Sequence, residues 1–161
     1  FSQNKIGLQD MASFYNMADL TVNIADAEGF GLGTLESLSC GTPIIVTMTG
    51  GLQEQVTDGE NWFGVGIEPS SKAVIGSQEI PYIYEDRINE DDFVNALEKI
   101  YNMTPAERKE LGAKGRQHVL NNYSFELYGQ RWDDLFQKVQ KDYGSWDTRK
   151  NYKNWHLKEV K

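Results

Sequence analysis

The stretch Leu20-Thr21-Val22-Asn23-Ile24-Ala25, continued after two residues by Glu28-Gly29-Phe30-Gly31-Leu32-Gly33-Thr34-Leu35-Glu36, decides the fold. Its first part alternates apolar and polar side chains and is rich in β-branched residues, the pattern of a strand. A glycine-rich loop follows. Residues 34–40 have helical composition, and Gly41 closes them as a residue suited to a left-handed helix end, with Pro43 two positions on. Outward from this core, residues 43–47 read as a second buried strand. Gly50-Gly51 opens a short helix that ends before Asp58-Gly59, and residues 63–67 form a third strand. On the other side, Leu8, Met11, Ala12, Tyr15 and Ala18 recur at helical spacing and predict an amphipathic helix over 8–18. Strands alternating with helices predict an α/β fold: a Rossmann-like parallel sheet with flanking helices.

Beyond the third strand, residues 72–75 and 80–84 predict a small hairpin or insertion. The last third is helical. Asn89 caps a helix with Asp92 three residues on, and Phe93, Leu97, Ile100 and Tyr101 form its expected buried face. Thr104-Pro105-Ala106-Glu107 is a capping box with proline at the first helical position. Ser124 caps a final helix whose apolar stripe is Trp132, Leu135, Phe136 and Val139. Asn102-Met103-Thr104 and Asn122-Tyr123-Ser124 match a glycosylation sequon, but both hydroxyl residues are already accounted for as helix caps.

With 161 residues, 39% of them hydrophobic and 25% charged, the chain reads as globular, and no apolar run approaches the length of a membrane span. The N-terminus has no signal-peptide pattern, and a single cysteine, Cys40, excludes an internal disulfide framework. Both fit a reducing, cytoplasmic compartment. The chain opens on Phe1 and is expected to be a processed or partial sequence. Its formal charge is −8, unevenly spread. Residues 138–161 carry seven Lys/Arg against three Asp/Glu, whereas the preceding 137 carry nine against twenty-one. An acidic body of this kind is not a nucleic-acid-binding core. The chain is therefore expected to divide into a domain over 1–137 and a basic aromatic tail over 138–161 holding Tyr143, Trp146, Tyr152 and Trp155. That tail suits either packing on another domain with its lysines solvated, or peripheral contact with a membrane or other phosphate-rich surface.

Ligands of parallel α/β sheets bind outside the carboxyl ends of the strands. The loop over 28–33 lies at such an end and runs into a helix N-terminus, where unpaired amides and the helix dipole favour an anion such as a phosphate. Gly29, Gly31 and Gly33 do not make the dinucleotide fingerprint, and no Gly-Lys-Ser/Thr follows as a Walker loop requires. Two carboxylates, Glu28 and Glu36, flank the loop instead. A carboxylate accepts two hydrogen bonds at once and is the natural partner of vicinal hydroxyls. Phosphate-binding backbone between two such groups points to a sugar on each side of a diphosphate, which is a nucleotide sugar. Cys40 reads as a small buried hydrophobe, and His118 as a surface residue. Neither His118 nor His156 has the neighbours of a catalytic or metal site, and no Asp-x-Asp motif is present, so no metal is expected.

The segments Glu28-Gly-Phe-Gly-Leu-Gly-Thr-Leu-Glu36, Ser39-Cys-Gly-Thr-Pro-Ile-Ile45 and Gly50-Gly-Leu-Gln-Glu-Gln-Val-Thr-Asp-Gly59 resemble the signature of retaining glycosyltransferases of family 4, the group 1 enzymes of the GT-B fold. The resemblance runs over about residues 9–124. It implies the C-terminal, donor-binding half of a GT-B fold followed by C-terminal helices, and transfer of a hexose-type sugar from a nucleoside diphosphate with retention of configuration. It implies that Glu28 contacts the transferred sugar or supports the developing oxocarbenium charge, and that Glu36 binds the ribose hydroxyls. Backbone groups of Phe30, Gly31 and Leu32 would meet the sugar, and Gly29 belongs to the same donor-binding loop. Those of Gly33, Thr34 and Leu35 would meet the diphosphate, and Gly50 and Gly51 would lie beside the sugar. It further implies an acceptor-binding N-terminal domain, here or on another chain, and no cofactor besides the donor substrate. The sequence departs from the pattern at Gly33, where the family commonly has proline. It also lacks the Arg and Lys that the family places on earlier segments. A non-catalytic nucleotide-sugar-binding fragment and a nucleotide-sugar epimerase on the same fold are the alternative readings.

Overall fold

A computed structural model describes residues 5–150. The expectations for Tyr152, Trp155, His156 and the rest of 151–161 lie outside the described residues. Two compact units make up the chain, Phe1–Asn122 and Tyr123–Lys161.

In the first unit, helix α1 (Leu8–Met17) leads into strand β1 (Thr21–Asn23), helix α2 (Leu32–Ser39), strand β2 (Ile44–Thr47), helix α3 (Leu52–Val56) and strand β3 (Gly64–Ile67). The strands form one parallel sheet in the order β1-β2-β3, with Thr21 opposite Ile44 and Ile44 opposite Gly64. Parallel neighbours cannot be joined by a tight turn, so each connection is a helical crossover. The predicted parallel α/β architecture is therefore the observed one. Ile44, Ile45 and Val46 are all fully buried although they alternate between the two faces of the sheet, so both faces of β2 are covered. On one face, Ile45 packs with Val65, Ile67, Ala96 and Ile100.

Strand β1 is shorter than expected and lies at the sheet edge, with Val22 and Ile24 exposed. Helix α1 buries no residue completely, and Leu8 at its start is exposed. Helix α2 begins at Leu32, two residues earlier than its composition alone indicated, because Gly31 adopts the left-handed conformation and serves as its N-cap.

A two-stranded antiparallel hairpin follows, β4 (Ser71–Ile75) and β5 (Ile83–Arg87). The second strand starts three residues later than expected, because residues 77–80 close a turn of their own: Ser77 N–H bonds Ile80 O, and Ile80 N–H bonds Ser77 Oγ. The base of the hairpin is tied to the loop after β1 through Asp86 N–H to Asp26 O and the Arg87–Asp26 ion pair at 3.0 Å.

Helix α4 (Glu90–Tyr101) is capped by Asn89, whose Oδ1 accepts from Asp92 N–H at 2.7 Å. Its inward face is Phe93, Ala96, Leu97 and Ile100. Tyr101 does not join it and is 83% exposed. The helix ends there, the chain turns, and Met103 packs on the core instead. Tyr101 lines an apolar cavity of about 760 Å³ with Leu20, Val94, Leu97 and Met103, none of them in the glycine loop. Helix α5 (Pro105–Asn122) starts with the predicted capping box: Glu107 N–H reaches Thr104 Oγ1, and Thr104 N–H reaches Glu107 Oε2.

Helix α6 (Phe125–Tyr143) belongs to the second unit and is capped by Ser124. Phe125, Tyr128, Trp132 and Phe136 stack successively along one side of it, with ring centroids 5.3–6.2 Å apart. The helix runs unbroken through position 138, where the tail was expected to begin.

Candidate functional site

The site is built where β1 ends. Asn23 Oδ1 accepts from Ala25 N–H at 3.2 Å, turning the chain out of the strand. Five residues after Asn23, Glu28 Oε1 accepts from Gly31 N–H at 3.2 Å, which folds the loop back on itself immediately before α2. Gly31 has φ +87°, and a Cβ there would come within 2.5 Å of Leu52 Cδ2 and 2.8 Å of Thr34 Oγ1. Only glycine fits this position on both counts.

A second glycine loop clamps the first. Gly50 has φ +48°, and a Cβ on it would collide with the Glu28 carbonyl. Gly51 N–H bonds Gly29 O at 3.3 Å, and a Cβ on Gly51 would lie 2.7 Å from Phe30 O. The structure thus brings Gly50-Gly51 against Glu28, Gly29 and Phe30 through main chain on both sides. Gln55, fully buried in α3, completes the clamp. Its Nε2 donates to Phe30 O, and its Oε1 lies 2.6 Å from the Thr34 hydroxyl. That hydroxyl also lies 2.8 Å from Gly31 O and has one proton to share between the two acceptors.

The first turn of α2 is where donors remain. Leu35 N–H already bonds Gly31 O at 3.2 Å within the helical ladder. Among the described residues, no backbone acceptor meets the amides of Leu32, Gly33 or Thr34. They are the unsatisfied donors that every helix start leaves, and they sit at the positive end of the helix dipole. The side chains of Phe30 and Leu32 are exposed, whereas Thr34 is buried and braces the loop.

Glu36 lies one turn further along α2 and is exposed. Its Oε2 accepts from the Tyr15 hydroxyl of α1 at 3.0 Å. Burial, followed by the hydrogen bond to the Glu36 carboxylate and its charge, pushes the Tyr15 pKa up to about 12. Among the described residues, no group of three or more His, Cys, Asp or Glu is arranged to hold a metal ion.

Residues 3–118 match the model of glycosyl transferases, group 1. The chain belongs to this family. A GDP-mannose-dependent monoacylated alpha-(1-6)-phosphatidylinositol monomannoside mannosyltransferase from Corynebacterium glutamicum is 28% identical over 140 residues, 83% of this chain and 31% of that protein. Among solved structures, a sucrose-phosphate synthase from Thermosynechococcus elongatus is 25% identical with a TM-score of 0.64, covering 86% of this chain and 29% of the other. The catalytic domain of starch synthase IV from Arabidopsis thaliana, bound to ADP and acarbose, shares the fold at a TM-score of 0.53 and 17% identity, over 77% of this chain and 23% of that one. The chain thus spans less than a third of the length of each of these relatives.

Within this group 1 chain, two residues are placed differently from expectation. His118 is not a surface residue. It is 7% exposed, its ring stacks on Phe63 at 4.1 Å, and its Nε2 lies 2.9 Å from Glu54 O. Because Nε2 faces a carbonyl, the proton belongs on that nitrogen, leaving Nδ1 to accept from Asn122 Nδ2 at 3.1 Å. His118 therefore fastens α5 to α3 and through it supports the clamp. Cys40, at the end of α2, is half-buried rather than buried.

Four supporting residues escaped the sequence reading. Gln55 follows Leu52 and precedes Val56, so the spacing 52, 55, 56 placed it on the inward side of a short helix, a signal that was there to be used. Gly112 and Gly115 in α5 allow close packing on α2: a Cβ on the first would strike the Gly41 carbonyl, and one on the second would lie 2.5 Å from Leu38 Cδ2. Tyr15 was legible as part of a helical stripe, but its hydroxyl partner lies 21 residues away.

Proposed function

We propose that this chain forms the donor-binding part of a retaining glycosyltransferase that takes its sugar from a nucleoside diphosphate. The observation that carries the reading is the clamped loop at the start of α2, with the open amides of Leu32, Gly33 and Thr34 between Glu28 and Glu36. The diphosphate lies against the amides of Gly33 and Thr34, where the helix dipole stabilises the charge that grows on the leaving group. Phe30 and Leu32 contribute backbone groups on the sugar side, and Gly50-Gly51 closes that side. Glu28 faces the transferred sugar and supports the positive charge that develops at its anomeric carbon. Glu36 accepts the ribose hydroxyls.

In the reaction, the bond from the anomeric carbon to the diphosphate oxygen breaks, and the electron pair leaves with the nucleoside diphosphate. A bond to the acceptor hydroxyl oxygen forms on the same face of the sugar, and the proton of that hydroxyl passes to the departing diphosphate oxygen. The acceptor is held by a further domain, on this protein or on another chain. The basic aromatic segment after α6, in which Arg149 stacks on Trp146 at 3.9 Å, provides a peripheral contact with a membrane or with that domain. Among the described residues, no helix is long and apolar enough to cross a membrane.

Calorimetric titration with ADP, GDP and UDP tests the reading directly. One of them is expected to bind, and Glu36→Ala is expected to weaken it by about 1–3 kcal/mol through loss of charge-assisted hydrogen bonds. EDTA is expected to leave the affinity unchanged, because backbone donors rather than a metal meet the diphosphate. Unchanged affinity in Glu36→Ala removes Glu36 from the site. Transfer measured with the full-length protein and labelled donors separates a transferase from a binding fragment and from an epimerase.

A further inference from the structure

Glu36 is an exposed side chain on a helix surface, and a glutamate there ordinarily samples many rotamers. Here it does not stand alone. Tyr15 comes from a different helix, and its main chain is itself fastened: Tyr15 O accepts from the hydroxyl of Thr42, a residue 4% exposed, at 2.7 Å. A tyrosine anchored at its backbone has two side-chain torsions left, so its hydroxyl is a rigid donor. That hydroxyl reaches over the first turn of α2. A Cβ on Gly33 would lie 3.4 Å from it, an ordinary contact distance, which places the hydroxyl beside the open amides. The hydroxyl holds Oε2 of Glu36 and leaves Oε1 without a partner among the described residues. A carboxylate has about four acceptor positions on its two oxygens, so one bond from Tyr15 still leaves both oxygens able to accept from a vicinal diol.

We infer that Tyr15 is a positioning residue that fixes the Glu36 carboxylate in the orientation that accepts both ribose hydroxyls, and so gives the site its preference for ribo- over 2′-deoxyribonucleotides. The inference rests on the reading that Glu36 takes the ribose hydroxyls. Because Tyr15 titrates only near pH 12, its hydroxyl remains a donor throughout the neutral range. Loss of that donor frees the carboxylate to rotate without removing it, so the cost falls on the diol and not on the diphosphate.

The experiment compares the unaltered chain with Tyr15→Phe and Glu36→Gln, each titrated with the best-binding member of ADP, GDP and UDP and with its 2′-deoxy counterpart. Tyr15→Phe is expected to weaken the ribonucleotide about tenfold, the scale of one hydrogen bond to a charged group, and to leave the 2′-deoxynucleotide within about twofold. The ratio of the two dissociation constants should therefore fall in Tyr15→Phe, and at least as far in Glu36→Gln. If Glu36→Gln leaves the ratio unchanged, or if the unaltered chain binds no probe, the underlying reading fails. If Glu36→Gln lowers the ratio and Tyr15→Phe does not, Tyr15 has no part in positioning and this inference alone is overturned. Equal weakening of both probes by Tyr15→Phe makes Tyr15 a structural residue and overturns it as well. Tighter ribonucleotide binding in Tyr15→Phe means that Tyr15 competes for the carboxylate, the opposite of the role inferred.

Discussion

Strand β2 and the hairpin β4–β5 both carry β-branched apolar residues, and these have opposite fates. Ile44, Ile45 and Val46 are fully buried, while Val74 and Ile75 on β4 and Ile83 and Tyr84 on β5 are 39–62% exposed. The hairpin also carries Lys72, Glu85, Asp86 and Arg87, but the fate of its apolar residues follows from their neighbours. β2 has a strand paired on each edge and cover on both faces. β4 and β5 have only each other, and two strands do not make a core. Burial gives β2 its consequence for the site: the chain leaves β2 directly into Gly50-Gly51, which clamps the loop from Glu28 to Gly31. The hairpin is tied instead to Asp26, two residues before that loop. Substitutions in and around β2 should therefore change both stability and donor binding, and substitutions on the hairpin surface should change neither.

The largest effect is expected for Ile45→Ala, which opens a cavity among Val65, Ile67, Ala96 and Ile100. Large-to-small changes at such sites cost about 2–5 kcal/mol, readable as a lower midpoint in urea unfolding. A cost no larger than that of a hairpin substitution would erase the contrast.

Next comes Gly50→Ala. The added carbon meets the Glu28 carbonyl, which cannot swing away as a side-chain tip would, and the residue is held at positive φ. Overpacking of this kind costs about 1–3 kcal/mol, and the displaced loop should lose nucleotide affinity by more than the loss of stability explains. Comparing unfolding with calorimetry on one sample separates the two. Intact binding would show that the clamp is dispensable.

Gln55→Leu is the sharper probe, since it keeps the volume and removes the polar bridge. The Phe30 carbonyl then loses its bond to Gln55 and the Thr34 hydroxyl loses one acceptor, at a cost of about 1–3 kcal/mol, with a smaller loss of affinity than in Gly50→Ala. The smallest effect is expected for Val74→Thr together with Tyr84→Thr on the hairpin. Exposed positions of this kind stay within about 0.5 kcal/mol, and nucleotide affinity should not change. A large loss from this pair would mean that the hairpin is part of the site.

What could be read from the sequence was everything with a local cause. The alternation in residues 20–25, the helical stripes, the capping pairs Asn89–Asp92 and Thr104–Glu107, and the glycine loop before α2 depend on residues within a few positions of one another. The structure contains the helices, both capping pairs and the loop, but keeps the strand only over Thr21–Asn23, leaves Tyr101 outside the buried face of α4 and buries no residue of α1 or α6 completely. The candidate site was legible for the same reason, because Glu28, Gly31 and Glu36 occupy nine consecutive residues. The supports of the site had no such local signal. Gln55 reaches Phe30 across 25 positions, His118 reaches Glu54 across 64, and Tyr15 reaches Glu36 across 21. The fate of apolar strands was likewise undecided by their composition. A side chain's type is written in the sequence, but its partner and its exposure depend on which elements the crossovers bring alongside, and only the packed sheet with its helices settles that.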